Sequence, residues 1–214
     1  MIKQKGIYII LSSPSGAGKT SLAKKLIKRN KNLELSVSYT TRKKRPKEIN
    51  KKDYYFISKK RFDALRKRHF FIEWAKVFGN YYGTSLMETE KINNLGKDIL
   101  FDIDWQGSKK IKKKLGNNVV NIFILPPSKT ELIRRLNKRA QDSKNVVQQR
   151  LLSFKSELSH WKEYKHVLIN DKLEKISKKI SNIIKIEKKA ILNHINIPIN
   201  KNPQLNKIIK ILKK

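Results

Sequence analysis

This sequence predicts an α/β fold: a parallel sheet covered by helices on both faces. Three observations carry that reading. Short β-branched apolar runs alternate with amphipathic helical patterns over much of the chain. The first run, GIYIILSS (6–13), leads into the glycine-rich turn SPSGAGKT (13–20) and then into a helical pattern. Residues 36–91 break the alternation with aromatic-rich strands, which marks a small inserted α+β region. Strand alternating with helix builds a parallel sheet, because each crossover packs a helix back onto it. Ligands of such sheets bind beyond the carboxyl ends of the strands.

Taken in order, GIYIILSS has the continuous apolar character of a strand buried on both faces. SLAKKLIKRN (21–30) follows, with Leu22, Leu26 and Ile27 at helical spacing. Within the insertion, DYYFIS (53–58) and FIEWAKVFGNYYG (71–83) read as antiparallel strands, the second with a turn at Gly79-Asn80. A short helix is expected between them, over 60–68. DILFDID (98–104), VVNIFIL (119–125) and HVLIN (166–170) are the remaining buried strands, separated by helical patterns at 106–115, 129–138 and 145–164. Ser128 and Glu131 have the spacing of a capping box after Pro126-Pro127. Leu173, Ile176, Ile180, Ile183 and Ile184 recur at helical period and predict a final packed helix. Beyond Asn193, INIPINKNPQ reads as a linker, and LNKIIKILKK as a short basic amphipathic tail expected to fray. The domain reading is a core of 1–35 and 92–192, an insertion of 36–91, and a linker and tail of 193–214.

Composition narrows the function classes. A chain of 214 residues, 38% hydrophobic, is one domain or one domain with inserted pieces. No apolar run approaches the roughly 18 residues needed to span a bilayer, and the N-terminal run is too short for a signal peptide. The chain reads as soluble and cytoplasmic. It has no cysteine, and its four histidines show no metal-ligand spacing. The net charge of +34 invites a nucleic-acid reading, as does RKKRPK (42–47), where five of six residues are basic. Lysine, however, is spread along the whole chain beside heavy use of isoleucine and asparagine, whose codons are also A/T-rich. A nucleic-acid footprint is expected to gather on one face instead, so compositional bias is the plainer source.

SPSGAGKT carries chemistry. Gly16 and Gly18 let backbone N–H groups turn inward around phosphate oxygens. The helix start adds about half a positive charge facing the anion. Lys19 is expected to reach the β- and γ-phosphates of a nucleoside triphosphate, and Thr20 to bind Mg²⁺. Ser13, Pro14, Ser15 and Ala17 complete the loop, with Ser13 standing where the general motif has glycine. Asp102, at the end of an apolar strand, is a candidate second contact to the metal.

The ordered set SVSxTTRxxRPxE (36–48), Tyr54, FIEWAxVFGNYYGT (71–84), DIDWQG (102–107), RRLxxR (134–139) and Asn170-Asp171 resembles the guanylate kinase family, over about residues 6–190. That resemblance implies a phosphate-loop core, an inserted GMP-binding region and a helical lid at about 135–150. It implies Mg-dependent transfer of the ATP γ-phosphoryl group to GMP, giving ADP and GDP, in purine nucleotide metabolism and GMP recycling. By the same resemblance Glu73 and Asp104 supply carboxylates to guanine, and Ser38 and Thr84 supply hydroxyls. Arg42, Arg45, Tyr54 and Tyr82 hold the GMP phosphate. Arg135, Arg139 and Arg150 close over the transferring group, and Asn170 meets the adenine side of ATP. The guanine edge presents donors at N1 and N2 and an acceptor at O6, so carboxylates plus a hydroxyl are its complement. The expected partners are ATP and GMP, with no specific nucleic acid and no membrane; a homo-oligomer stays open. A catalytically dead interaction domain, a nucleic-acid ATPase and a kinase for another small acceptor are the competing readings. Lys47, Lys51 and Ala140 occupy positions where the family usually has glycine, so strain is expected wherever φ is positive there.

Overall fold

The computed structural model describes residues 5–138, 144–197 and 203–213. In chain order the elements are β1 (Tyr8–Ser12), α1 (Lys19–Arg29), β2 (Leu33–Leu35), β3 (Tyr39–Thr40) and β4 (Tyr55–Phe56). Then come α2 (Lys59–Lys67), β5 (Phe71–Val77), β6 (Asn80–Ser85), α3 (Leu86–Asn94) and β7 (Asp98–Asp102). The rest are α4 (Trp105–Leu115), β8 (Val119–Leu125), α5 (Lys129–Lys138), α6 (Lys144–Ser159), β9 (His166–Ile169), α7 (Leu173–Leu192) and α8 (Pro203–Lys213).

Five strands form a parallel sheet in the order β2-β7-β1-β8-β9. Alternate side chains of each strand feed two hydrophobic clusters, as the two-residue period of a strand requires. Ile9 and Leu11 of β1 join one cluster with Leu22 and Leu26 of α1 and Ile176, Ile180 and Ile184 of α7. Ile10 joins the other with Ile111 of α4, Leu132 and Leu136 of α5, and Phe154 and Leu158 of α6. Continuous apolar strands are therefore the mark of a sheet covered on both sides, as the sequence predicts. The short β2 is an addition that the sequence pattern did not reveal.

A second sheet, in the order β4-β3-β6-β5, makes the insertion. Its core is aromatic: Phe62 of α2 stacks on Phe71 and Tyr81, and Tyr39 packs against Tyr55, Phe70 and Phe71. Two expectations change here. The DYYFIS strand pairs parallel, not antiparallel, with Tyr39↔Tyr55 and Thr40↔Phe56 in register. The β5–β6 turn falls one residue early, since Val77 pairs with Asn80. Phe78 and Gly79 are its two central residues, both at positive φ (47° and 78°), as a primed hairpin turn demands.

Caps set the helix starts. Ser58, Ser85, Asp104 and Ser128 each accept an N–H three residues on. Only half of the expected capping box forms, because the Glu131 carboxylate turns to Arg134 and Arg135. The tail differs most from expectation. Residues 203–213 are helical, and Leu205, Ile209 and Leu212 are buried in the same cluster as α5 and α6. Amphipathic spacing alone does not distinguish a frayed tail from a docked one; a waiting apolar surface does.

Candidate active site

The carboxyl edge of the parallel sheet opens into a cleft of about 590 Å³. The phosphate loop leaves β1 there, and Leu11 lies beside Asp102 in register, so the end of β7 stands next to the loop. Gly16 and Gly18 have φ of 90° and 92°, the left-handed region that glycine enters without steric cost. Helix α1 begins at Lys19 with no side-chain cap and no acid in its first turn, which leaves its end N–H groups and dipole for an anion. The Lys19 ammonium lies 2.9 Å from Asp102 Oδ1 and donates to the Ile103 carbonyl at 2.8 Å. It is thus held at the loop by the neighbouring strand. Ser13, Pro14, Ser15, Thr20 and Asp102 line the same cleft.

Ala17 faces the other way. Its carbonyl accepts from Asn170 Nδ2 at 2.8 Å and from Arg135 Nη1 at 3.1 Å, and Arg135 Nη2 reaches the Asn170 carbonyl at 3.0 Å. A Cβ on Gly18 would lie 2.5 Å from Asn170 Nδ2, so the buried asparagine fits only against a bare Cα. Arg135 and Asn170 brace the loop from behind and do not line the cleft. Arg150 of α6 does: its Nη1 lies 3.3 Å from Ser15 Oγ, and its guanidinium faces the Phe78 ring at 5.5 Å. Arg139 and Ala140 lie outside the described residues.

The insertion supplies the opposite wall. A register shift in β5 between Phe71 and Glu73 breaks the strict alternation, so Phe71, Ile72 and Glu73 are all buried. Glu73 retains 4% exposure, faces Thr84 across the β5–β6 ladder, and accepts from Thr84 Oγ1 at 2.7 Å. Burial raises its carboxyl to about 7, with the Thr84 hydrogen bond working against that rise and nearby Asp104 adding to it. Asp104 Oδ1 caps α4 by accepting from the Gly107 N–H at 2.9 Å, and Gln106 approaches Oδ2 at 3.2 Å. Ser38, buried, lines the cleft beside them.

A basic wall completes the cleft. Arg42 donates from Nη2 to Glu48 at 2.7 Å and from Nη1 to the Lys43 carbonyl at 2.8 Å, and its guanidinium lies 5.4 Å from the centre of the Tyr54 ring. Glu48 also accepts from the Arg45 N–H at 2.9 Å. Partial desolvation opposes the charge of Glu48, yet these bonds from Arg42 and Arg45 hold it below the usual carboxylate range. Burial pushes the Tyr54 hydroxyl well above its ordinary pKa, and the Asp102 charge adds to the effect, so it remains a donor. Tyr82 lies alongside, with ring centroids 6.0 Å apart. Across the cleft, Lys24 of α1 pairs with Asp53 at 2.6 Å and ties the core to the insertion.

Three comparisons bear on this geometry. The family profile described as guanylate kinase matches residues 5–187. The chain belongs to the guanylate kinase family. Among curated relatives, the guanylate kinase of Rickettsia felis is 51% identical over 187 residues, covering 87% of this chain and 97% of the relative. That of Rhizobium meliloti is 44% identical over 187 residues, covering 87% and 85%. The crystal structure of guanylate kinase from Anaplasma phagocytophilum superposes with a TM-score of 0.71 at 36% identity, covering 87% of this chain and 88% of that one.

Against the guanylate kinase pattern, the structure gathers most of the residues singled out from the sequence around one cleft. It also adds two carboxylates that sequence reasoning left unassigned. Glu48 aligns the Arg42 guanidinium and accepts the Arg45 backbone N–H, and Glu157 of α6 accepts the Ser15 N–H at 2.7 Å. Glu48 closed the motif quoted above, so its signal was present. Glu157 stands 142 residues from its partner, and nothing local marks it. The glycine departures also divide: Lys51 sits at φ 65°, whereas Lys47 is not among the positive-φ residues. Among the described residues no helix is long and apolar enough to cross a membrane.

Proposed function

We propose that this chain transfers the γ-phosphoryl group of ATP to GMP through the residues of this cleft, with Mg²⁺. The observation that carries the reading is a phosphate loop and a buried, hydroxyl-paired carboxylate, Glu73, lining one cavity. Ser13–Thr20 hold the ATP phosphates, with Lys19 at the β- and γ-phosphates. Glu73 and Asp104 accept from guanine N1–H and N2–H₂, and Ser38 donates to O6. Thr84 sets Glu73 from behind. Adenine carries an unprotonated N1 and would leave a buried carboxylate facing a lone pair, a mismatch of the kind that rejects analogues strongly.

Arg42 and Arg45 hold the GMP phosphate, with Tyr54 and Tyr82 as hydroxyl donors. Planar guanidiniums suit two-point phosphate contacts, and Glu48 fixes the orientation of Arg42. A GMP phosphate oxygen, already an anion, forms the bond to Pγ while the Pγ–O bond to ADP breaks, so no general base is required. Arg150, joined by Arg139 of the lid, spreads the charge of the transferring group; Arg135 and Asn170 act one step back, bracing the phosphate loop through the Ala17 carbonyl. The donor set fits Mg²⁺: Thr20 and Asp102 give one hydroxyl and one carboxylate beside Lys19. Mg²⁺ is typically bound by one or two carboxylates plus substrate phosphates, and among the described residues no cluster of three or more acids or histidines forms a metal cage. When bound, the ion neutralises charge on the β- and γ-oxygens.

This reading divides the fold into a catalytic core of 1–35 and 92–192 and a GMP-binding insertion of 36–91. ADP release, coupled to an optical signal with GMP, AMP, CMP and UMP as acceptors, tests it. GMP-dependent turnover is expected with AMP far behind. Absence of GMP turnover ends the assignment, and comparable AMP turnover ends the specificity argument.

A further inference from the structure

We propose that Gly107, a buried residue in the first turn of α4, is a positioning residue for guanine selection, because its missing side chain sets where the Glu73 carboxylate stands. This rests on the reading of Glu73 and Asp104 as the guanine acceptors. A Cβ built on Gly107 lies 2.8 Å from Glu73 Oε2 and 3.2 Å from its carboxyl carbon, whereas ordinary contact begins near 3.4 Å. Glu73 Oε1 is meanwhile fixed by the Thr84 hydroxyl at 2.7 Å. One oxygen is therefore pinned by a hydrogen bond and the other rests on a bare Cα. The same glycine donates its N–H to Asp104 Oδ1 at 2.9 Å, so a single residue touches both carboxylates that face the cleft.

Helical conformation does not call for glycine here, since Gly107 is not among the positive-φ glycines. In a helix, alanine is favoured over glycine by about 1 kcal/mol, so glycine at this position runs against local preference. The close approach of Glu73 supplies the reason. When a methyl group is added, the helix start is held by its cap, and the terminus of a glutamate side chain is the softer partner. The carboxylate gives way, and the fold does not.

Gly107→Ala is the test. Expected is a fall in kcat/KM for GMP of about 10- to 100-fold, the scale of an ångström-sized misplacement at a site, carried mainly by KM for GMP. KM for ATP stays within about twofold and the melting temperature does not drop. Adding Glu73→Asp, which withdraws the carboxylate by one methylene, is expected to recover part of the GMP loss in the Gly107→Ala background while impairing the otherwise native enzyme. A GMP KM within twofold of native, an equal loss for ATP, a lowered melting temperature, or no recovery in the double variant each overturns the proposal. Glu73→Gln separates this from the underlying reading. If that variant leaves GMP turnover untouched, the guanine assignment itself fails; if it is costly while Gly107→Ala is silent, only the role of Gly107 fails.

Discussion

Replacing Glu73 with glutamine should weaken GMP use and strengthen the fold at the same time, with both effects following pH. The carboxyl moves from an ordinary 4.5 in the unfolded chain to about 7 in the folded one, chiefly by burial. A raised value means that the folded state holds the proton more tightly. The stability associated with that proton is fully present below pH 4.5 and is lost as pH rises through about 7. At about 1.36 kcal/mol per pH unit, the native fold forfeits about 3 kcal/mol by pH 8, and the neutral amide is spared that loss. Guanine, on the reading proposed above, needs the charged form. Near pH 6 roughly nine-tenths of Glu73 is protonated in the free enzyme, so kcat/KM for GMP should lie about tenfold below its plateau above pH 8. In Glu73→Gln the plateau itself falls by about 10- to 100-fold, the worth of a charge-assisted hydrogen bond. Urea unfolding and coupled ADP release, each run from pH 5.5 to 8.5, measure the two arms. A phosphate monoester itself titrates near pH 6, so the difference between the two pH profiles isolates Glu73. Identical pH profiles, or a glutamine variant less stable at pH 8, would refute the argument.

Other outcomes follow from the same geometry. Lys19→Ala should lower turnover by at least about 10²–10³-fold while GMP binding by calorimetry stays within a few fold; loss of GMP binding would contradict the two-ended cleft. Glu48→Gln should raise KM for GMP by about tenfold with little change in kcat, because the Arg42 guanidinium loses the charged bond that aims it. Lys51→Gly should stabilise the fold by about 0.5–1 kcal/mol, since the left-handed backbone at φ 65° costs a side chain about 1–2 kcal/mol and the greater chain entropy of glycine offsets about 0.5–1 of it. Lys47→Gly serves as the control, and an equal gain there in thermal unfolding would show that φ is not the cause.

What could be read in advance was whatever the chain keeps contiguous. The phosphate loop is a single run between strand and helix, and its two left-handed glycines are where the motif puts them. Glu73 was ambiguous for a physical reason. Strand alternation set it opposite Ile72 and Trp74, and only the register shift at Phe71 brings two successive residues, Ile72 and Glu73, indoors together. Arg135 shows the opposite problem. Helical spacing put it on one face with Arg139, but the carbonyls that hold it, at Ala17 and Asn170, come from distant parts of the chain. Glu157 and Gly107 stayed unassigned for the same reason, since each meets its partner on another element.

The docked last helix has a practical consequence. The family match stops at residue 187, but the apolar cluster that seats α5 and α6 continues to Leu212. A fragment trimmed at the family boundary would sever α7 short of its end at Leu192 and uncover the face that Leu205, Ile209 and Leu212 seal. Expression designs for this chain should therefore follow the packing, which extends 25 residues past the end of the family match.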